Sequence, residues 1–284
     1  MSAVSSTTSA AADGVAGLEP KTVRSRFTKL QRDHITAIRG VATVIVLLVA
    51  WQIIVKVFMK GSIAVSAPTD IYHKYVSLAR SGDLGKDISA SGQEFLYGFA
   101  LAVVVGITIG LLMGASKAVR DYLDPVVNAL YATPVIALGP LFILWLGIGM
   151  SSKVAVVFIL SVMPILINTD TGIRNVDKNI LETASAFSAT RMQVFLKVML
   201  PAALPLILTG IRLGVGRGLI GVVAGELFAS QAGLGYLVLS SSQVFDPAGV
   251  FVGITALAFA GIVSMILLRR LERKLAPWRV DDNN

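Results

Sequence analysis

The sequence predicts an all-α polytopic membrane protein with about six transmembrane helices. Three observations carry this: 55% of the 284 residues are apolar, only 15% are charged, and the mean hydropathy is +0.75. Globular domains carry about 25% charged residues, so too little polar surface remains here to cover the apolar part. Disorder requires low hydrophobicity and is excluded for the opposite reason. Cysteine is absent, and the two histidines, His34 and His73, stand far apart. That leaves no disulfide framework and no ligand cluster for a metal. No cofactor is expected.

A helix needs about 20 mostly apolar residues to cross the hydrocarbon core. Six charge-poor stretches approach this: residues 40–55, 95–116, 126–152, 154–169, 204–228 and 247–268. Lys153 separates the third from the fourth, with Gly147 and Gly149 supplying a tight turn beside it. Pro134, Pro140 and Pro164 imply kinks or broken helices, tolerated where neighbouring helices or water satisfy the freed carbonyls. Residues 227–245 are also charge-free, but Ser230, Gln231, Ser240, Ser241, Ser242 and Gln243 make them too polar for a lipid-facing helix. A re-entrant or interfacial segment is expected there.

With six spans both termini lie on one side. Seventeen basic residues of the loops and termini fall on that side and five on the other, so the positive-inside bias places both termini in the cytoplasm. Basic loops facing an anionic leaflet account for the net charge of +8, and no nucleic acid is needed. Residues 1–22 are rich in Ser, Ala and Thr and read as a disordered cytoplasmic N-terminus. In 23–39, Val23, Phe27, Leu30, Ile35 and Ile38 recur at near-helical spacing among basic residues, the pattern of an amphipathic juxtamembrane helix. Residues 40–270 form the transmembrane domain, and 271–284 a cytoplasmic tail.

The fourth connection, residues 170–203, is long and cytoplasmic. Asp177 is a candidate N-cap, followed by good helix formers with Ile180, Leu181, Ala184 and Phe187 on one side. Thr190 with Gln193 fits the capping box and starts a second helix through Val194, Phe195, Leu196 and Val198. Pro201 and Pro205 are expected to end or kink it. Two short helices joined at Ser188–Ala189, with exposed apolar groups, make either a docking surface for a soluble partner or a pair of interfacial helices against the bilayer.

The residues of this loop favour the docking surface. Glu182-Thr183-Ala184, then Ser188, then Val198 through Leu200-Pro201 resemble the EAA loop of ABC importer permeases: E-A-A, three residues, Gly, nine residues, Ile, any residue, Leu-Pro. Thr183 replaces the first Ala and Ser188 the Gly; the spacing is kept. Phe187 lies in the same segment. LGPLFILWLGIG at 138–149, PILINTDTGIRNVD at 164–177 and AGLGYLV at 232–238 are similar to the sulfonate, taurine and nitrate branch of these importers. The resemblance implies a type I ABC importer permease fold in the cytoplasmic membrane. It also implies a second permease copy, two cytosolic ABC ATPase subunits, an extracytoplasmic substrate-binding protein and a small organic anion as substrate.

The residues bear on this in three further ways. The P-loop pattern G-x-x-x-x-G-K-[ST] does not occur, so ATP hydrolysis is expected in a separate subunit and the chain is not itself an enzyme. Gly216 to Gly221 match G-x-G-x-x-G, but inside an apolar span rather than after a strand. Glycines at 106, 110 and 114, at 210, 214 and 218, and at 221 and 225 form small-residue stripes that let helices approach closely, within one subunit or at a dimer interface. Arg212, Arg217 and Glu226 lie at membrane depth, where charges are costly and face protein or water; they are candidate pathway residues. A straight helix cannot hold all three on one surface. The alternative is a stand-alone secondary transporter, which would need intramembrane carboxylates for ion coupling.

Overall fold

A computed structural model describes residues 39, 40, 42–59 and 64–275. The expected elements at 1–22, at nearly all of 23–39 and at 276–284 lie outside the described residues, whereas 271–275 continue α11. Residues 1–60 and 61–284 form two separate units. In the first, Ala42–Phe58 (α1) is an apolar helix at the short end of what crosses a bilayer.

The second unit is helical throughout its described residues. Its elements are Pro68–Ser81 (α2), Asp83–Ala115 (α3), Lys117–Ala132 (α4), Gly139–Leu146 (α5), Met150–Arg174 (α6), Lys178–Ala186 (α7), Arg191–Val194 (α8), Leu200–Ala229 (α9), Leu234–Gln243 (α10) and Pro247–Leu275 (α11). Four described helices are long and apolar enough to cross a membrane: α3, α6, the run Arg191–Phe228 and α11. Lys117–Ala132 and Val135–Leu146, bent at 87°, are long and apolar enough when taken together as one broken segment. With α1 these correspond to the six apolar stretches of the sequence.

Several boundaries differ from expectation: α3 begins at Asp83 rather than 95, Lys153 lies inside α6 rather than between two spans, and two further differences follow from prolines. The third span begins at Lys117 rather than 126, and it is two helices. The residue before a proline is pushed out of the helical region; Thr133 is extended at ψ 132°, so α4 stops there. Pro140 sits in the first turn of α5, where its missing N–H costs nothing. The expected turn follows α5, with Gly147 and Gly149 at φ +80° and +154°. Pro201 does not end the helix begun at Arg191. A wide turn over Phe195–Met199 leads into α9 and places Pro201 in its first turn; the looser winding relieves the clash with the preceding turn. Pro164 lies within an unbroken α6.

The most enclosed span is α6, with 44% of its apolar window buried against 22% or less for the other three long spans. It runs between α3 and α9. The buried positions of α3 recur at every third or fourth residue: Leu84, Asp87, Ser91, Glu94, Gly98, Ala102, Gly106, Gly110 and Met113. This single stripe is polar at one end and small at the other. A Cβ at Gly110 would lie 2.6 Å from Thr169 Cβ and 2.7 Å from the Leu166 carbonyl; one at Gly114 would meet Ile173 at 2.6 Å. From the other side, Gly210, Gly214, Gly218 and Gly221 of α9 meet Pro164, Ile165, Ser161 and Val157. The glycine stripes are therefore taken up inside the subunit, by α6.

Both ends of this three-helix core are tied by charge. Where α3 ends, Arg120 donates to the Met113 and Gly114 carbonyls at 2.7 and 3.2 Å and to Asp170 Oδ1 at 3.3 Å. It closes the C-terminus of α3 and holds it to α6. Arg174 adds a contact to Asp170 Oδ2 at 3.4 Å. This end leads into α7 and is called the loop end below. At the opposite end, Lys153 of α6 meets Glu94 of α3.

Gly110→Val should lower stability by about 1–3 kcal/mol, the usual range for overpacking, in thermal melting of the solubilised protein. Gly92→Ala, where nothing lies within 4 Å of the added Cβ, should not lower it.

Candidate functional site: the loop helices and the charges of α9

The two helices of the loop form as their caps dictate. Asp177 Oδ1 accepts the Asn179 N–H at 2.8 Å and starts α7. Thr190 and Gln193 form the reciprocal capping box: the Gln193 N–H donates to Thr190 Oγ1 at 3.3 Å, and the Thr190 N–H to Gln193 Oε1 at 2.9 Å. Between them Ser188 takes φ +55°, the left-handed conformation that a glycine would adopt without strain. The Ala189 N–H reaches back to the Ala184 carbonyl at 3.2 Å and closes the turn.

The hairpin presents apolar groups outward. Phe187 is 82% exposed and Met192 65%, and Ile180 and Leu196 are also exposed. Leu181 and Ala184 are half-buried, whereas Glu182 and Thr183 are exposed and Pro201 is half-buried at the start of α9. Thr183 Oγ1 donates to the Asn179 carbonyl at 2.7 Å, so its hydroxyl is satisfied within α7. Glu182 makes no ion pair among the described residues. Behind α8 lies a groove of about 950 Å³ bounded by Leu111, Leu112, Arg191, Met192, Phe195 and Met199.

The three charges of α9 go to three different places. Arg212 pairs with Glu272 of α11. Glu226 is fully buried and accepts from the Ser91 hydroxyl and from the Gly235 and Tyr236 backbone N–H groups. It caps the N-terminus of α10, where anions are favoured. Arg217 alone is exposed, without an ion pair among the described residues. It borders a cavity of about 230 Å³ that also involves Tyr131, Thr133, Pro134, Met163 and Pro164. The broken α4–α5 span and the proline of α6 thus meet the guanidinium. The segment expected to be re-entrant is the ten-residue α10, too short to cross.

Sequence reading missed the polar cluster opposite the loop end. Asp87, Ser91, Glu94 and Lys153 all meet the turn before α10 or its Glu226 cap. A span placed from 95 left the first three in a loop. The available signal was spacing: 87, 91 and 94 continue the stripe of Gly98, Ala102 and Gly106 by one helical face. Further out, Lys74 of α2 binds Asp246 Oδ2 at 2.7 Å. Burial raises the pKa of Asp246, but Lys74 and the Gly249 and Ala248 N–H groups outweigh it and hold the carboxyl below its usual range.

Residues 102–277 match the family model described as "Binding-protein-dependent transport system inner membrane component". The chain belongs to this family. It is 36% identical over 265 residues to the putative aliphatic sulfonates transport permease protein SsuC of Bacillus subtilis, covering 93% of this chain and 96% of that one. It is 32% identical to the taurine transport system permease protein TauC of Escherichia coli, covering 84% and 89%. An inward-facing structure of the MetNI methionine ABC transporter shares the fold at TM-score 0.60 and 17% identity, over 69% of this chain and 98% of that one. The protein is an ABC transporter permease subunit of the type I importer fold, spanning the membrane several times.

Ser188→Gly should remove the left-handed strain and raise thermal stability by about 1 kcal/mol, leaving transport unchanged; melting of the solubilised protein measures it.

Proposed function

We propose that this permease subunit carries a small organic anion, of the sulfonate, taurine or nitrate class, across the cytoplasmic membrane in an ATP-driven importer. An extracytoplasmic binding protein delivers the solute, two cytosolic ABC ATPase subunits supply the energy, and a second copy of this chain completes the passage. The chain performs no bond chemistry. The loop end and both termini are cytoplasmic.

The observation that carries the reading is the capped hairpin of α7 and α8, with its unpaired Glu182 and its outward Phe187 and Met192. An apolar, rigidly capped surface with one free carboxylate fits insertion into a protein cleft better than it fits water. Because α8 continues without a break into α9, a push on the hairpin is delivered directly to the span that carries Arg217. The family's relatives named for sulfonates and taurine support an anionic solute.

The pathway assignment rests on Arg217. A guanidinium in mid-span without an ion-pair partner among the described residues fits water or a second subunit against it. In a low-dielectric passage it favours anions, since Coulomb interactions there are weakly screened. A bound anion must also leave, so Arg217 serves as a mild electrostatic lining, with selectivity left to the binding protein. Arg212 and Glu226, each engaged within the subunit, serve it less.

Glu182→Lys, or Ala184 replaced by a bulky residue, should uncouple ATP hydrolysis from uptake while the protein stays in the membrane. Unchanged uptake with unchanged ATPase co-purification in both variants rejects the coupling role. Arg217→Gln should reduce anion uptake several-fold and Arg212→Gln less, with binding-protein affinity constant. Loss of assembly in Arg217→Gln would identify a structural ion-pair member, and untouched uptake would remove it from the pathway. Cross-linking the purified complex should give permease dimers with two ATPases; a different permease as partner would reject the homodimer.

A further inference from the structure

The groove behind α8 has no part in the transport reading. Its volume of about 950 Å³ lies at the upper end of the range of small-molecule sites. Thr108, Leu111 and Leu112, from the last turns of α3, form one wall. Arg191, Phe195 and Met199 form the other, four residues apart and hence on one helical face. The wide turn Phe195–Met199 is therefore part of the wall. Widened turns of this kind frequently accompany functional sites.

The groove changes character along its length. Arg191 is exposed at the start of the helical wall, with Phe195 one turn on and Met199 a second. From Arg191 to Met199 the helix advances about 12 Å. Among the described residues that bound the groove Arg191 alone is charged, and it makes no ion pair with any described residue. An unpaired guanidinium takes a phosphate bidentately. Beyond it Leu111, Leu112, Phe195 and Met199 offer only hydrocarbon, and Leu112 is 52% exposed. Residues 23–39, with Arg24, Arg26, Lys29 and Arg32, carry the sign of Arg191 and are repelled by it. The ligand that fits has a negative head and an apolar body in one molecule. The groove lies where the apolar stretch of α3 runs out, at the level of a bilayer's headgroups.

We propose that this groove binds one anionic phospholipid of the inner leaflet, with the phosphate on Arg191 and an acyl chain along Leu112, Phe195 and Met199. The leaflet follows from the cytoplasmic placement of the loop end, and in that respect the inference rests on the transport reading. A net negative headgroup is selected over a zwitterionic one by the same charge count. The ammonium of phosphatidylcholine would bring a second cation to Arg191, and no carboxylate bounds the groove to receive it. Basic pockets beside spans at the cytoplasmic surface hold anionic headgroups for this reason. The bound chain packs against the wide turn that links the hairpin to α9.

Photo-cross-linking of the intact transporter in nanodiscs tests this without reference to the transported solute. Phosphatidylglycerol with a diazirine in its acyl chain, diluted into phosphatidylcholine, should label the peptides holding Leu111–Leu112 and Phe195–Met199. Phosphatidylcholine with the same diazirine should label them several-fold less. Arg191→Gln should bring phosphatidylglycerol labelling down to the phosphatidylcholine level, Arg191→Lys should keep part of the difference, and Leu112→Trp, which fills the groove, should abolish labelling by both. Equal labelling by the two lipids in the wild type, or labelling unchanged in Arg191→Gln, would overturn the proposal. So would unlabelled groove peptides, the result expected if the ATPase or a second copy covers them. Because the chain has no cysteine, Leu112→Cys reports directly on protein neighbours. A disulfide-linked permease dimer, or a bridge to Phe27→Cys, would put protein in the groove and reject the lipid. Lipid labelling reads neither uptake nor ATP hydrolysis, so failure of the lipid site leaves the importer reading standing.

Discussion

The close approach of α6 to α3 and α9 is the contact on which the rest of this subunit depends. In a bilayer the lipid tails are as apolar as leucine side chains, so burial of apolar surface does not by itself draw helices together. What remains is van der Waals contact, and it requires backbones to come near each other. Gly98, Gly106, Gly110 and Gly114 on one side and Gly210, Gly214, Gly218 and Gly221 on the other make that possible, each leaving room for a specific atom of α6. Ile165 is fully buried because it is held between the two stripes.

A core held by dispersion alone would allow its helices to slide, because small residues form smooth surfaces. The polar contacts at both ends fix the register. Arg120 reads the last carbonyls of α3 and Asp170 of α6 together. Lys153 and Glu94 do the same at the other end. Charges that would be costly in lipid are here paired or supplied with backbone donors, as burial demands. Arg217 is exposed at mid-span and has no ion pair among the described residues, which is why the proposed passage is placed against it.

A stiff core with a direct helical connection to an exposed hairpin suits a subunit whose work is mechanical. The hairpin is rigid within itself, through the Asp177 cap and the Thr190–Gln193 box. The wide turn at Phe195–Met199 is the one irregularity between it and α9. On the opposite side the Glu226 cap fixes α10 to the end of the same helix. The hairpin, α9 and α10 are thus joined by helix and by hydrogen bonds, the continuity that the proposed coupling uses.

The sequence by itself determined the membrane class, the six apolar stretches, the two caps of the loop helices and a segment after residue 227 too polar to face lipid. Each follows from local chemistry: hydropathy over about 20 residues, a hydroxyl three positions before a glutamine, serines too dense for lipid. The EAA pattern placed Ser188 at the joint of the two loop helices, but its left-handed φ of +55° came only from the structure. The tertiary structure decided what local chemistry does not carry. The glycine stripes were visible, but only packing shows that they face α6 rather than another subunit. Arg212, Arg217 and Glu226 are all charges in one apolar run; Glu272, the cavity beside Tyr131 and the α10 N-terminus distinguish them, and Glu272 alone lies 60 positions from its partner Arg212. Glu94 and Lys153 looked like span boundaries, because in the sequence a charge beside an apolar run marks an end. In three dimensions two such ends, from helices that pack side by side, neutralise each other and become the interior.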